Sequence, residues 1–173
     1  MYFFSNQHLF FSKLILFFIF LTTLIYNNSS NSHDYYFGKL TIDHPYIFET
    51  MPGAKVAAGY MIITNKGKKS DFLVGGETAF ANKMEFHQMK MVDGIMRMKS
   101  LENGIEIPAG ESVKLEPKGY HIMFMGINSK LIKNSKEKVL LNFKNTGKII
   151  VEFNIESMDH KNNTEEMNHT KHE

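Results

Sequence analysis

The 173-residue chain contains no cysteine. That absence excludes disulfide frameworks, zinc sites built on thiolates, CxxC redox chemistry and any copper centre with a thiolate ligand, such as a blue-copper electron carrier. A large excess of one charge is also missing, because 20 lysines and arginines stand against 18 aspartates and glutamates. With so small an excess and no basic stripe, we expect no nucleic-acid partner.

Catalytic signatures are missing as well. The sequence shows no nucleophile elbow, no phosphate-binding loop and no ordered Ser/His/Asp set. The acidic candidates are Glu165 and Glu166 near the C-terminus and Glu102 and Glu106 beside predicted turns, positions that suit solvent contact better than acid–base chemistry. We therefore expect that this protein is not an enzyme.

Charged residues are almost absent from residues 1–32, where Lys13 is followed directly by the apolar run Leu14–Tyr26. This run fits the apolar region of a signal peptide and falls short of the roughly 20 residues that span a bilayer. Polar residues Asn27–Ser32 follow it without a clear small-residue cleavage site, so an uncleaved anchor that also recruits Leu9–Phe11 stays open. No cysteine follows the run, which excludes a lipid anchor attached there. Residues 1–32 are predicted to be a signal peptide or N-terminal anchor, and the protein is predicted to be periplasmic.

Helical periodicity is missing from residues 38–156, which instead contain short apolar or alternating runs separated by Gly, Asn, Asp and Pro. Asp93-Gly94 is a strong hairpin turn signal. The predicted strands are Lys39–Ile42, Tyr46–Glu49, Val56–Thr64, Phe72–Val74, Lys83–Val92, Ile95–Leu101, Ile105–Ile107, Ser112–Leu115, Tyr120–Met125, Val139–Phe143 and Ile149–Ile155. This spacing predicts a single all-β sandwich or barrel.

Residues 157–173 are polar, lack apolar periodicity and are predicted to be disordered. They nevertheless hold five potential metal ligands, namely Met158, His160, Met167, His169 and His172. The tail is therefore predicted to offer a secondary metal site, and the alternative is a solvated end whose histidines are incidental.

Methionine is abundant where cysteine is absent, with 12 in the chain. Because strand side chains alternate, several of these methionines share a strand face with a histidine or with each other. The groups are His87, Met89 and Met91; Met96 and Met98, returning across the Asp93-Gly94 turn; and His121 and Met123. The packing alternative is real, since methionine commonly fills gaps in cores, and Met61 and Met84 are predicted to do so.

The strand His121-Ile-Met123 places an imidazole and a thioether about 6–7 Å apart on one face, within reach of one metal ion. Adding His87 and a methionine from the Met96/Met98 strand completes a set of two nitrogens and two sulfurs. Soft thioether sulfur selects Cu(I), whereas imidazole alone would also serve zinc or Cu(II). Unlike thiolates, thioethers need no deprotonation and cannot form disulfides, which suits an exported site.

The region from about residue 40 to 155 resembles the periplasmic copper-chaperone family of the PCuAC type. The matching segments are Tyr60–Asn65, Glu85–His87, Gly94–Met98, Gly104–Gly110 and Gly119–Gly126. Ten residues separate His87 from Met98, as in the family motif, and twenty-two separate Met98 from His121, one more than is usual. Near the start, the family's Asp-Ala-Trp is replaced by Asp43-His44-Pro45, and His44 is interpreted as a scaffold or surface residue.

The resemblance implies a cupredoxin-like Greek-key fold and Cu(I) bound by His87, Met98, His121 and Met123. Met96 fits the spacing less well and, with Met89, is a secondary candidate. The resemblance also implies delivery of copper to a partner such as a cytochrome c oxidase subunit, and a His/Met-rich tail that takes part in copper binding. Histidine nitrogens would let such a tail take Cu(II). Two alternatives stay open: a periplasmic copper buffer or scavenger, and a β-sandwich interaction module without metal.

Overall fold

The computed structural model describes residues 34–158, and all of its regular secondary structure is β-strand. The strands are β1 (Tyr35–Phe37), β2 (Leu40–Phe48), β3 (Val56–Asn65), β4 (Asp71–Thr78), β5 (Ala81–Val92), β6 (Ile95–Ser100), β7 (Ile105–Ile107), β8 (Ser112–Leu115), β9 (Tyr120–Ile127), β10 (Lys136–Phe143) and β11 (Gly147–Glu156). The all-β prediction is confirmed.

The strands form one mixed sheet in the order β6-β5-β9-β8-β3-β2-β11-β10-β4-β7, with β1 paired to β2 and an additional pairing of β9 with β3. Two pairings are parallel, β11 with β2 and β8 with β9, and the others are antiparallel. Strand β6 stands at one end of this order, so among residues 34–158 no strand pairs with its outer edge.

The core lies on one face of these strands. Phe124, Phe143 and Phe153 are fully buried, and the Phe124 ring lies 4.9 Å from that of Phe80 between centroids. Met61 is buried among them and Met84 packs against the same cluster, so the core assignment of both methionines is confirmed. On β9 the core side chains alternate with His121 and Met123, which consequently lie on the opposite face of the sheet.

Several predicted strand boundaries differ from the structure. The runs Lys39–Ile42 and Tyr46–Glu49 belong to one strand, β2, whose register against β3 shifts between Asp43 and Tyr46. His44 sits at this irregularity with φ of 47°, and a local bulge lets pairing resume beyond it. Strand β1 was missed because it is only three residues long.

Strand β4 continues to Thr78 instead of ending at Gly75-Gly76. Gly76 lies within the strand, and close packing against its neighbours, not a turn, explains why glycine occupies this position. A Cβ atom there would lie 2.2 Å from Met84 Cε and 2.5 Å from the carbonyl oxygen of Leu140 on the neighbouring strand.

The hairpin predicted from Asp93-Gly94 is present between β5 and β6. Both residues have positive φ, 52° and 76°, as a two-residue turn of type I′ requires. The turn sets the register of β6 against β5, and this register decides which methionines face each other.

A buried carboxylate joins the start of β4 to the turn between β10 and β11. Asp71 accepts hydrogen bonds from the backbone amides of Phe72 (2.7 Å), Asn145 (2.8 Å) and Thr146 (2.9 Å), and from the Thr146 hydroxyl. Burial alone would raise the pKa of Asp71, but these hydrogen bonds outweigh it and hold the pKa below its ordinary value of 3.8.

Candidate metal centre

Two histidines meet on the face of the sheet opposite the core. Antiparallel pairing of β5 with β9 places His87 directly across from His121. Their ring centroids are 5.7 Å apart with an angle of 64° between the planes. Both are nearly buried, with exposed fractions of 8% and 4%. Two residues far apart in the chain thus form a side-by-side pair of imidazoles in a largely dry environment.

Several methionines lie near this histidine pair, at different numbers of residues along the paired strands. Met123 follows His121 on the same face of β9 and lies opposite Glu85. On β6, Ser100 lies opposite His87, while Met98 lies opposite Met89, so Met98 is a diagonal neighbour of His87. Met89 follows His87 by two residues on β5, so its side chain lies on the same face as that of His87.

Met96 pairs with Met91, one step further from the histidines than the Met89–Met98 pair. The structure therefore places His87, His121 and Met123 together, with Met98 and Met89 adjacent and Met96 more remote. Met98 is half exposed, so a thioether there can swing towards the histidines or towards solvent.

The His121 ring is oriented by a backbone carbonyl. Its Nδ1 lies 3.2 Å from the carbonyl oxygen of Gly119, and because a carbonyl only accepts, Nδ1 is the nitrogen that donates. Burial lowers the pKa of His121, the bond to Gly119 partly opposes this, and the neighbouring His87 lowers it further. The neutral ring that results keeps its lone pair on Nε2.

The His87 ring is oriented by a carboxylate. Its Nε2 lies 2.8 Å from Oε2 of Glu85, whose other oxygen contacts Lys83. The hydrogen bond from Lys83, followed by that from His87, lowers the pKa of Glu85, so the carboxylate is ionised and accepts the proton of Nε2. The remaining nitrogen, Nδ1, is buried without a hydrogen-bond partner.

A buried polar atom without a partner costs about 1–3 kcal/mol, and such atoms are rare in folded proteins. Binding a metal ion at Nδ1 would remove that cost, because an imidazole that ligates a metal through Nδ1 can still donate its Nε2 proton to Glu85. His87 and His121 would then offer opposite nitrogens, each oriented through the other nitrogen by an outer hydrogen bond, as is usual for histidine ligands. Two imidazoles with nearby thioethers form a donor set suited to Cu(I).

Within residues 34–158, no cluster of three or more His, Cys, Asp or Glu side chains is placed to hold a metal ion. Glu85, which contacts His87, was not among the site residues predicted from the sequence. Its position two residues before His87 on an alternating strand was the available signal, because that spacing puts both side chains on one face.

The other sequence candidates fall elsewhere. His44 lies on β2, exposed, with Nε2 3.2 Å from Oε1 of Glu156, in agreement with a surface role. Met158 is exposed just beyond β11. The remaining tail candidates lie outside the described residues; they are His160, Met167, His169 and His172.

Solved structures share this arrangement of strands. The copper-bound PCuAC domain from PmoF2 superposes with a TM-score of 0.62 at 23% identity, covering 72% of this chain and 98% of that domain. The solution structure of CuI-DR1885 from Deinococcus radiodurans superposes with a TM-score of 0.57 at 20% identity, covering 78% and 87%. At these identities the likeness defines the fold, and the protein is an all-β domain of the PCuAC-like class.

Sequence comparison defines the family. Residues 40–155 match the LpqE-like family, described as "Putative lipoprotein LpqE-like". This chain belongs to that family, and the expected relationship to PCuAC-type proteins is confirmed. A curated relative from Leifsonia xyli subsp. xyli (strain CTCB07), "Putative lipoprotein Lxx21020", is 31% identical over 91 residues, which are 53% of this chain and 55% of the relative. The chain thus spans about half the length of that relative.

The family description speaks of a lipoprotein, which points to an exported protein attached to a membrane. Bacterial lipoproteins carry their lipid on a cysteine, and the 173 residues contain none. The family description therefore does not say how this chain would be attached to a membrane. Within the described part of the chain there is no helix that could span a bilayer.

Proposed function

We propose that this protein is an exported carrier of Cu(I), not an enzyme, which holds the ion through His87, His121, Met123 and Met98. The observation that carries the proposal is the buried His87 Nδ1 without a partner, beside the His121 imidazole and flanking thioethers. Copper-bound structures among the fold neighbours support copper as the cargo. In this proposal residues 38–156 are the copper-binding domain and residues 1–32 direct export to the periplasm.

The donor set also suits release of the cargo. Neutral imidazoles and thioethers leave the positive charge of Cu(I) uncompensated. The half-exposed Met98 side chain can dissociate from the ion without disturbing the core on the other face of the sheet. An acceptor with thiolate ligands binds the same soft ion more strongly. We therefore propose a copper-accepting protein, such as a cytochrome c oxidase subunit, as the partner.

Delivery is tested by mixing the Cu(I)-loaded protein with an apo copper domain of the oxidase and measuring copper on each after separation. Transfer of the ion to the oxidase domain is expected. Copper that stays on this protein would instead identify a buffer or scavenger. Absence of specific Cu(I) binding at the outset would leave the metal-free interaction module.

Replacing Glu85 by Gln tests how the site is oriented. The amide has the size of the carboxylate but lacks its charge, and its NH₂ group can face His87 and leave the imidazole tautomer unfixed. Loss of such an outer-shell partner weakens metal affinity by about 10–100-fold. Competition against a Cu(I) chelator should give a loss in this range, while ¹⁵N chemical shifts of the ring report the His87 tautomer without copper.

The matched control is Glu77→Gln, which removes a carboxylate from β4, outside the β5–β9 site. It should leave both the His87 tautomer and the copper affinity unchanged. A Glu85→Gln protein with wild-type ¹⁵N shifts and affinity would show that Glu85 does not position His87.

The tail is proposed as a second, Cu(II)-binding region. Removing the residues after Ser157 should lower the number of Cu(II) ions bound, because Met158 and the three tail histidines are lost, and should leave Cu(I) binding nearly intact. Equilibrium dialysis with each oxidation state measures both numbers. Unchanged Cu(II) uptake would make the tail an inert end.

A further inference from the structure

Four methionines occupy one face of the β5–β6 hairpin. They form two successive cross-strand pairs, Met89 with Met98 and Met91 with Met96. Directly opposite side chains in an antiparallel pair have Cβ atoms about 4.5–5.5 Å apart, and diagonal neighbours are about 7–8 Å apart. Methionine has three rotatable side-chain bonds, so sulfurs from such a square can reach a common point above the strands.

Core packing does not account for these side chains. Met91 and Met98 are 64% and 53% exposed, whereas the core lies on the other face of the sheet around Phe86 and Ile122. A gap-filling role needs a gap between buried groups, and the outer edge of β6, unpaired among residues 34–158, provides none.

The methionine and aliphatic side chains of the hairpin lie on opposite faces. The aliphatic pair Val92 and Ile95 shares the opposite face with the basic pair Lys90 and Arg97, while the thioethers are together. A plain apolar contact surface would not require the sulfurs to be separated from the aliphatic groups. Sorting by donor chemistry is what a metal site requires.

We infer that Met89, Met91 and Met96, with Met98 shared, form a second and all-thioether site for a soft monovalent cation, Cu(I) being the physiological example. Thioether sulfur excludes hard cations, and no proton must leave before the ion binds. This site is additional to the proposed His87–His121 centre, which it adjoins through Met98, because Met89 and Met98 lie one step along the strands from His87 and Ser100. An ion taken up at Met91 and Met96, the exposed end of the hairpin, is thus two register steps from His87, and the Met89–Met98 pair lies between them.

Ag(I), a soft monovalent ion that is not oxidised in air, is the probe. The full chain is labelled with ¹³C at the methionine methyl groups and titrated while each methyl resonance is followed. The Met91 and Met96 methyls are expected to shift in a step distinct from that of Met123. The double variant Met91→Leu, Met96→Leu should bind one ion fewer than wild type while the Met123 step persists, since leucine and methionine are close in volume and the fold is retained.

Two controls separate this inference from the proposed function. Met51→Leu removes an isolated methionine that is 79% exposed, and should leave the titration unchanged. His121→Ala with Met123→Ala should abolish the histidine-site step and leave the Met91 and Met96 shifts in place. Met91 and Met96 methyls that do not move, or a Leu double variant with the wild-type number of ions, would overturn the second site whatever happens at the first.

Discussion

Replacing both His121 and Met123 by alanine is expected to abolish the preference of this protein for Cu(I) over Zn(II). The change removes one buried imidazole and the thioether beside it, which leaves His87 with no partner nitrogen across the sheet. Losing an outer-shell contact alone costs about 10–100-fold in metal affinity, so losing two direct ligands should cost considerably more. Affinities come from competition with chelators selective for each ion.

A matched control removes the same two residue types elsewhere. His44 and Met51 are both exposed and distant from the paired histidines in the strand register, so the double variant His44→Ala, Met51→Ala should keep its Cu(I) affinity. Because His121 is buried, folding of the test variant is checked by its amide NMR spectrum without metal. A folded variant that still binds Cu(I) as tightly as wild type would remove these residues from the site.

Replacing Asp71 by Asn is expected to lower the free energy of unfolding at neutral pH by about 3 kcal/mol, the upper range for hydrogen bonds to a charged group. The carboxylate accepts from three backbone amides and a hydroxyl, and an amide side chain must turn its NH₂ group towards one of those donors. Urea unfolding of both proteins measures the difference.

The same residue gives the domain a dependence on acid. The pKa of Asp71 is lower in the folded state than its ordinary value of 3.8, so the ionised carboxylate stabilises the fold at higher pH. This contribution is complete above the unfolded pKa and is lost as pH falls through the folded pKa. Wild type should therefore lose stability below about pH 4 more steeply than Asp71→Asn.

Asp93→Asn is the control for both measurements, since Asn-Gly also suits this turn and Asp93 is exposed. It should unfold at nearly the urea concentration of wild type and keep the acid dependence. Equal stability of Asp71→Asn and wild type would show that the buried hydrogen bonds contribute no net stability.

Sequence periodicity predicted the fold well where strands alternate and turns have a strict residue requirement. Asp93-Gly94 is the clearest case, because few residue pairs accept positive φ at both positions and the register follows from the turn. Periodicity failed at Gly76, where the reason for glycine is a neighbouring strand that cannot be identified from local sequence. The bulge at His44 is likewise a consequence of pairing with β3.

In the candidate site, too, some features follow from local sequence and others depend on contacts between distant strands. The shared face of His121 and Met123 follows from alternation, but the pairing of His87 with His121 depends on a β5–β9 contact between distant parts of the chain. The nitrogen that each ring presents depends on still finer detail, namely a backbone carbonyl at Gly119 and a carboxylate at Glu85. The sequence can therefore indicate candidate ligands, whereas the orientation of each ring is set by contacts between distant parts of the chain.

The position of β11 has a consequence for biosynthesis. This strand, the last of the described region, lies between β2 and β10 and is parallel to the first long strand of the domain. Until residues 147–156 have left the ribosome, the two halves of the sheet have no strand to join them. The sheet is therefore expected to close only after this segment is made, whichever of the earlier strands have already paired.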